Sequence, residues 1–246
     1  MDNLAAELAE YLVARLKEID DYSRLLVGIS GIPASGKSTL AKLVVAKCNL
    51  LFNKPDSQGS HTPPAILIGL DGWHLTRAQL DAFPDPKLAH DRRGAHWTFD
   101  GEAYAKFVAA IRVPIQSGSE RAITAPTFDH AVKDPEPDAV MVLPDHRLIV
   151  IEGLYAFLSI DPWRVAGEML DERWFITINI DEATKRLVKR HVITGVAKDM
   201  EEAIWRAENN DMPNGLLIIE NMLEPTRRIP SPDDPTFVDA IEHEPE

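Results

Sequence analysis

The segment Gly31-Ile32-Pro33-Ala34-Ser35-Gly36-Lys37-Ser38 satisfies G-x-x-x-x-G-K-[ST], with Thr39 directly after it. That spacing is the signature of a phosphate-binding loop when it joins an apolar strand to a helix. Glycines let backbone amides close around phosphate oxygens, and the following helix start faces the same anion. Lys37 is expected to reach the β- and γ-phosphates, and the Ser38 hydroxyl to hold Mg2+. An ordinary strand-to-helix turn accounts for the two glycines, but it leaves Lys37-Ser38 without a reason. The whole stretch 31–39 is therefore a nucleotide site.

Two carboxylates stand where a strand should end. Asp71 follows the apolar run 65–70, and Glu152 follows 148–151. Open α/β sheets hold ligands at the carboxyl ends of their strands. Asp71 suits proton acceptance from an attacking hydroxyl; Glu152 suits the metal, through water, or a substrate contact. A turn former or helix cap is the plainer role for either acid. The stretch 181–191 carries Lys185, Arg186, Lys189, Arg190 and His191 against Asp181 and Glu182. Solvated helix charge is one explanation. A lid is the other, with Arg186 and Arg190 at i, i+4 facing a transferring phosphoryl group. No Cys/His zinc spacing or Ser/His/Asp arrangement accompanies these residues.

These side chains need a scaffold. Leu4, Leu8, Leu12, Leu16 and Ile19 recur at helical spacing, which predicts an amphipathic first helix within 1–22. Apolar runs predict buried strands at 25–29, 65–70, 148–151, 174–180 and 216–219. Helices are predicted at 40–46, 101–111, 181–191 (capped by Asp181) and 200–208, and a surface loop at 49–64. A pair of short strands is expected at 122–128 and 139–143. Alternation of continuous apolar strands with helices predicts an α/β protein. The expected architecture is a P-loop NTPase fold: a five-stranded parallel sheet flanked by helices, with a helical lid at 181–214. Residues 1–229 read as a single domain.

The chain has 246 residues and a net charge of −13. Six acids lie in 230–246 (Asp233, Asp234, Asp239, Glu242, Glu244 and Glu246) with no Lys or Arg, so this proline-containing tail carries −6 of the −13. An acidic balance argues against nucleic acid or an anionic membrane as partner. Apolar runs fall short of the ~20 residues of a membrane span. A single cysteine, Cys48, and an acidic start fit a cytoplasmic location. A homodimer is compatible with everything in the sequence.

Three segments resemble the phosphoribulokinase/uridine kinase family: 28–39 with the phosphate loop, Asp71-Gly72-Trp73-His74, and Glu152-Gly153-Leu154-Tyr155. Arg92-Arg93-Gly94-Ala95 and Thr98-Phe99-Asp100 are similar to the R-R-G…T-F-D segment of its sugar-kinase-like and pantothenate-kinase-like members, with His96 in place of a proline. Pro126-Thr127-Phe128-Asp129-His130 resembles a P-x-Y-D-H element, and 190–195 with 210–214 resemble that branch's lid and following loop. The resemblance implies transfer of the γ-phosphoryl group of ATP, with Mg2+, to a hydroxyl of a nucleoside, sugar or pantothenate-type metabolite. It makes Asp71 the base and gives Lys37, Arg186 and Arg190 catalytic roles. Asp71, His74, Arg93, Asp129, His130, Glu152 and Tyr155 would meet the acceptor. A P-loop ATPase, or a nucleotide-binding regulatory protein without an acceptor, is the alternative.

Overall fold

The computed structural model describes residues 1–52, 62–115, 123–129 and 132–231. Its centre is a five-stranded parallel sheet in the order β2-β5-β1-β6-β7. The strands are β1 (Leu25–Gly31), β2 (Ala65–Gly69), β5 (Leu148–Glu152), β6 (Glu172–Thr177) and β7 (Arg227–Pro230). Successive side chains of a strand point to opposite faces. Leu25, Val27 and Ile29 therefore join Leu148, Val150, Trp174 and Ile176 on one face, covered by α1 (Asp2–Leu16) and α2 (Lys37–Phe52). Leu26, Ile68, Ile149, Ile151 and Phe175 line the other face. It is covered by α5 (Gly101–Arg112), α6 (Trp163–Glu168) and α9 (Met212–Asn221).

Between β2 and α5 the chain makes a 3-10 turn (Leu70–Trp73), α3 (Arg77–Asp81), α4 (Pro86–Asp91) and a second 3-10 turn (His96–Thr98). A separate antiparallel hairpin, β3 (Ile123–Asp129) with β4 (Asp134–Val142), stands beside the first turn. The expected strand pair at 122–128 and 139–143 is this hairpin, with a second strand reaching back to Asp134. After β6 come α7 (Ile180–Ile193), α8 (Met200–Arg206), one π-helical turn (Ala207–Asp211) and α9.

The sheet has the expected five parallel strands, but the fifth is elsewhere. Residues 216–219 are helical, inside α9. A short apolar run does not distinguish strand from buried helix. Here Ile218 is buried while Leu216 and Ile219 are exposed, a helical distribution. The actual edge strand, β7, reads Arg-Arg-Ile-Pro and buries only Ile229, so it lacks an apolar run. Proline at its end is tolerated because an edge strand has an unpaired side. The Asp181 cap is also corrected: Asn179 Oδ1 accepts from the amides of Asp181 and Glu182. The helix expected at 40–46 spans 37–52, so part of the expected 49–64 loop is helical; residues 53–61 lie outside the described residues, as do 232–246 of the acidic tail. Among the described residues no helix is long and apolar enough to cross a membrane.

Candidate active site

The phosphate loop connects β1, buried throughout, to the first turn of α2. Two of its residues adopt positive φ, Ala34 at 60° and Gly36 at 86°. Glycine takes that conformation freely, whereas alanine there is strained. A Cβ on Gly31 would stand 2.6 Å from Ser35 Oγ and 3.1 Å from the Ile176 backbone oxygen, so the loop closes tightly on the next strand. Ser35 Oγ is buried and has no hydrogen-bond partner among the described residues.

Lys37, Asp71, Glu152 and Arg190 converge above this loop. Burial lowers the Lys37 pKa, Arg190 lowers it further, and Glu152, Asp71 and Asp211 oppose the shift. Glu152 ends β5, next to β1, and its Oε2 accepts the Ser38 hydroxyl at 3.0 Å. Burial raises the Glu152 pKa, Lys37 counteracts it, and Asp71 adds to the rise. Burial also lowers the Arg190 pKa, against Asp211 and Asp71. These mutual effects bring the four residues into one electrostatic cluster, joined by Asp211. Arg186 lies further out. Its Nε donates to Glu182 Oε1 at 3.0 Å and its Nη1 to Ser231 Oγ at 3.2 Å. A Cβ on Gly36 would be 3.8 Å from that same serine oxygen, so Arg186 stands at the rim of the phosphate loop.

Asp71 is positioned by its own turn. Trp73 packs on Tyr104 and Phe107 at ring separations of 5.3 and 5.1 Å, which fixes the turn in the core. Gly72 is obligatory, because a Cβ there would meet the Pro126 carbonyl oxygen at 2.3 Å. His74 lies against Phe99 (3.9 Å) and Phe128 (4.9 Å), and its Nδ1 is 2.8 Å from the Asp71 backbone oxygen. The Asp71 side chain itself is 55% exposed, open to an incoming molecule.

The remaining expected acceptor residues divide. Tyr155 is buried, and its hydroxyl donates to the Gly94 carbonyl at 2.7 Å. Arg93 braces the wall: its Nη2 donates to Leu75 O and Asp134 Oδ1, its Nη1 to Lys133 O, and its guanidinium lies 5.4 Å from the Phe128 ring centre. Asp129 Oδ1 accepts from the Val132 amide and its carbonyl from the Lys133 amide, forming the hairpin turn. His130 lies outside the described residues.

The segment from α7 to α9 builds a small core of Leu187, Val188, Ala197, Ala203, Ala207 and Met212, with Ala34 packed against it. A Cβ on Gly215 would stand 3.2 Å from both Ile32 and Pro33. Asn210 Nδ2 donates to the Arg93 carbonyl at 2.9 Å. The basic helix is thus one side of a cap that touches both the phosphate loop and the 92–99 segment. Its π-helical turn ends at Asp211, whose pKa is pushed up to about 6 by burial against the opposing charges of Arg190, Arg206 and Lys37. His191 Nε2 is 3.6 Å from Asp211 Oδ2. Burial, Arg190 and Arg206 hold the His191 pKa down to about 4. π-turns often mark functional positions. Sequence spacing gives no signal for Asp211, because its neighbours in space come from the phosphate loop and from α7 and α8. A cavity of about 930 Å3 lies against the 71–74 turn, between α5 and the hairpin, with Trp73, His74, Lys106 and Pro126 among its walls.

A parallel sheet with this loop after its central strand and carboxylates at two neighbouring strand ends is a P-loop nucleotide-binding architecture. No family model matches the chain. It is 44% identical over 161 residues to the "ATP-dependent kinase-like protein notR'" of Aspergillus versicolor, covering 65% of this chain and 93% of that protein. It is 35% identical over 202 residues to the "Putative uridine kinase" of Schizosaccharomyces pombe, covering 82% of this chain and 81% of the relative. The crystal structure of a "putative fructose transport system kinase" from Silicibacter sp. superposes with a TM-score of 0.74 at 28% identity, covering 91% of this chain and 98% of that one. The chain belongs to the phosphoribulokinase/uridine kinase family of P-loop kinases.

Proposed function

We propose that the protein is an ATP-dependent kinase that transfers the γ-phosphoryl group to a hydroxyl of a small metabolite. One observation carries this: Asp71, half exposed at the end of β2, belongs to the same charge cluster as Lys37 and Arg190. Such an arrangement serves an acceptor with a proton to lose, beside cations that meet the transferring phosphoryl group. The hydroxyl oxygen forms a bond to the γ-phosphorus while the bond to the ADP oxygen breaks, and Asp71 takes the hydroxyl proton. Lys37 and Arg190 offset the charge on the moving group. The cap formed by α7–α9 limits water, which would otherwise compete as acceptor. The names of the relatives bring nucleosides and sugars into the range of acceptors.

Mg2+ fits the donors present. The Ser38 hydroxyl and Glu152 carboxylate are hard oxygen ligands 3.0 Å apart. Among the described residues no group of three or more metal-binding side chains is assembled. Mg2+ suits such a sparse set, since it keeps several waters and takes phosphate oxygens as further ligands. When bound, it neutralises phosphate charge.

The test is ADP release with and without a panel of nucleosides, sugars, pantothenate and glycerate. Asp71→Asn should lower acceptor-dependent turnover by about 10²–10⁴, while ATP binding stays within about threefold. Unchanged turnover would remove Asp71 from the role of base. ADP release at one rate regardless of acceptor would identify an ATPase instead.

A further inference from the structure

We infer that Asn210 is a positioning residue for phosphoryl transfer: its hydrogen bond to the Arg93 carbonyl holds the acceptor wall at 92–99 in register with a nucleotide on the phosphate loop. The inference rests on the kinase function for the meaning of the two sides, and it adds a residue that joins them.

The stretch 210–215 touches both sides at once. Asn210 lies in the π-helical turn (Ala207–Asp211), and Asn214 is buried in the first turn of α9. The Arg93 carbonyl can only accept, so Asn210 must present its Nδ2, which donates at 2.9 Å. That choice turns the Asn210 Oδ1 towards Asn214, whose Nδ2 donates to it at 3.3 Å. Gly94 has φ of 108°, and a Cβ there would stand 3.7 Å from Asn210 Nδ2 and 3.9 Å from Asn214 Nδ2. Both amides therefore lie close to the Arg93–Gly94 peptide, where glycine takes the positive φ without strain. Gly215, next to Asn214, packs on the opposite side of the cleft. An added Cβ would be 3.2 Å from both Ile32 and Pro33 of the phosphate loop.

The Arg93–Gly94 peptide is a junction of the acceptor side. The Gly94 carbonyl accepts the Tyr155 hydroxyl at 2.7 Å. Arg93 Nη2 donates to the Leu75 carbonyl, just after the 71–74 turn, and to Asp134 of the hairpin. Asn210 grips this junction by its backbone, so the bond does not depend on which acceptor binds. The other end of the link answers to the nucleotide. Ala34 of the phosphate loop packs into the small core of the cap, and Asp211, beside Asn210, interacts with Arg190 and Lys37. Phosphates that engage Lys37 and Arg190 settle the cap, and Asn210 passes that ordering to 92–99. Two sites that share one ordered element are coupled, and the coupling is reciprocal. Its benefit is placement, because a displacement of about 1 Å costs transfer on the order of 10²-fold.

Hydrogen exchange on the full chain tests the link without an acceptor. Mg2+ with a non-hydrolysable ATP analogue should slow exchange at 31–39. It should also slow exchange at 92–99 by about threefold or more, where the amides of Gly94, Ala95 and Thr98 are hydrogen-bonded. Asn210→Asp keeps the size of the side chain and the oxygen facing Asn214 but removes the donor to Arg93. It should lose the slowing at 92–99 and keep that at 31–39, and Asn210→Ala, without the added charge, should do the same. Asn209→Ala, in the same turn with its amide on the Trp205 carbonyl, should behave as the unsubstituted protein. Melting temperatures establish that all three variants fold. Slowing at 92–99 that survives in both Asn210 variants would overturn the proposal, and so would its absence from the unsubstituted protein. In turnover with the panel of nucleosides, sugars, pantothenate and glycerate, both Asn210 variants should lower kcat/KM for the acceptor about tenfold or more. KM for ATP should stay within about threefold, while a larger share of the γ-phosphoryl group is lost to water. An unchanged division between acceptor and water would mean that Asn210 does not position the acceptor. Failure of the kinase function has a different signature: the slowing at 92–99 depends on Asn210, yet no compound of the panel is phosphorylated.

Discussion

The two sides of the cleft are made in different ways. The phosphate side is one continuous stretch of chain, 31–39, whose backbone shape comes from Ala34 and Gly36 at positive φ and from close packing of Gly31 on β6. Its proposed ligand contacts are backbone amides, Lys37 and Ser38. The acceptor side has no such continuous element. It is assembled from the 71–74 turn, the 92–99 segment, the β3–β4 hairpin, Tyr155 and Asn210, joined by aromatic contacts and by Arg93 hydrogen bonds. A contiguous loop fixes a triphosphate of constant shape, whereas a mosaic of distant segments can change its specificity one piece at a time. Family membership and acceptor choice are therefore written in different parts of the molecule.

Substitutions at the junction of the two sides should separate them. The largest effect is expected at Gly72, where an added Cβ would meet the hairpin backbone at 2.3 Å. Gly72→Ala should cost about 1–3 kcal/mol of stability and shift Asp71 away from the cluster, lowering kcat at least tenfold with ATP affinity retained. Urea unfolding with steady-state kinetics checks both. Full activity would mean that the acceptor side is not held by this contact.

Asp211 gives a smaller, pH-dependent effect. Its folded pKa of about 6 lies above the ordinary 3.8, because burial disfavours the charged form. A raised acid destabilises the fold above about pH 6, and that deficit disappears as pH falls through 6 towards 4. Asp211→Asn should therefore be more stable than the unsubstituted protein by on the order of 2 kcal/mol at pH 8, converging with it near pH 4. Melting curves across that range provide the check. A constant difference would show that Asp211 is not a titrating member of the cap. Gly69→Ala should do least. Nothing lies within 4 Å of its added Cβ, and a change within about 0.5 kcal/mol is expected from the same unfolding experiment.

The difference between the two sides also explains what the amino-acid order discloses. The phosphate loop is legible because all its determinants are within nine positions. Asp71 and Glu152 are legible because each ends a buried, uninterrupted apolar strand. β7 is concealed because an edge strand buries one side chain, Ile229. The run at 216–219 misleads because four apolar residues fit a strand as well as a helix. The role of Arg93 as a brace is hidden because its carboxylate partner, Asp134, lies 41 residues further on. Asp211 lies in the 210–214 segment that resembles a family loop, but its charge environment comes from Arg190, Arg206 and Lys37, which its spacing does not reveal.

Phosphoryl transfer is tested most directly by following the label from γ-labelled ATP. With Mg2+ and a panel of hydroxyl compounds, the protein should move the label onto at least one small acceptor, and Asp71→Asn should transfer at least a hundredfold less. Label appearing only as inorganic phosphate, at a rate indifferent to the acceptor and to Asp71, would contradict the account.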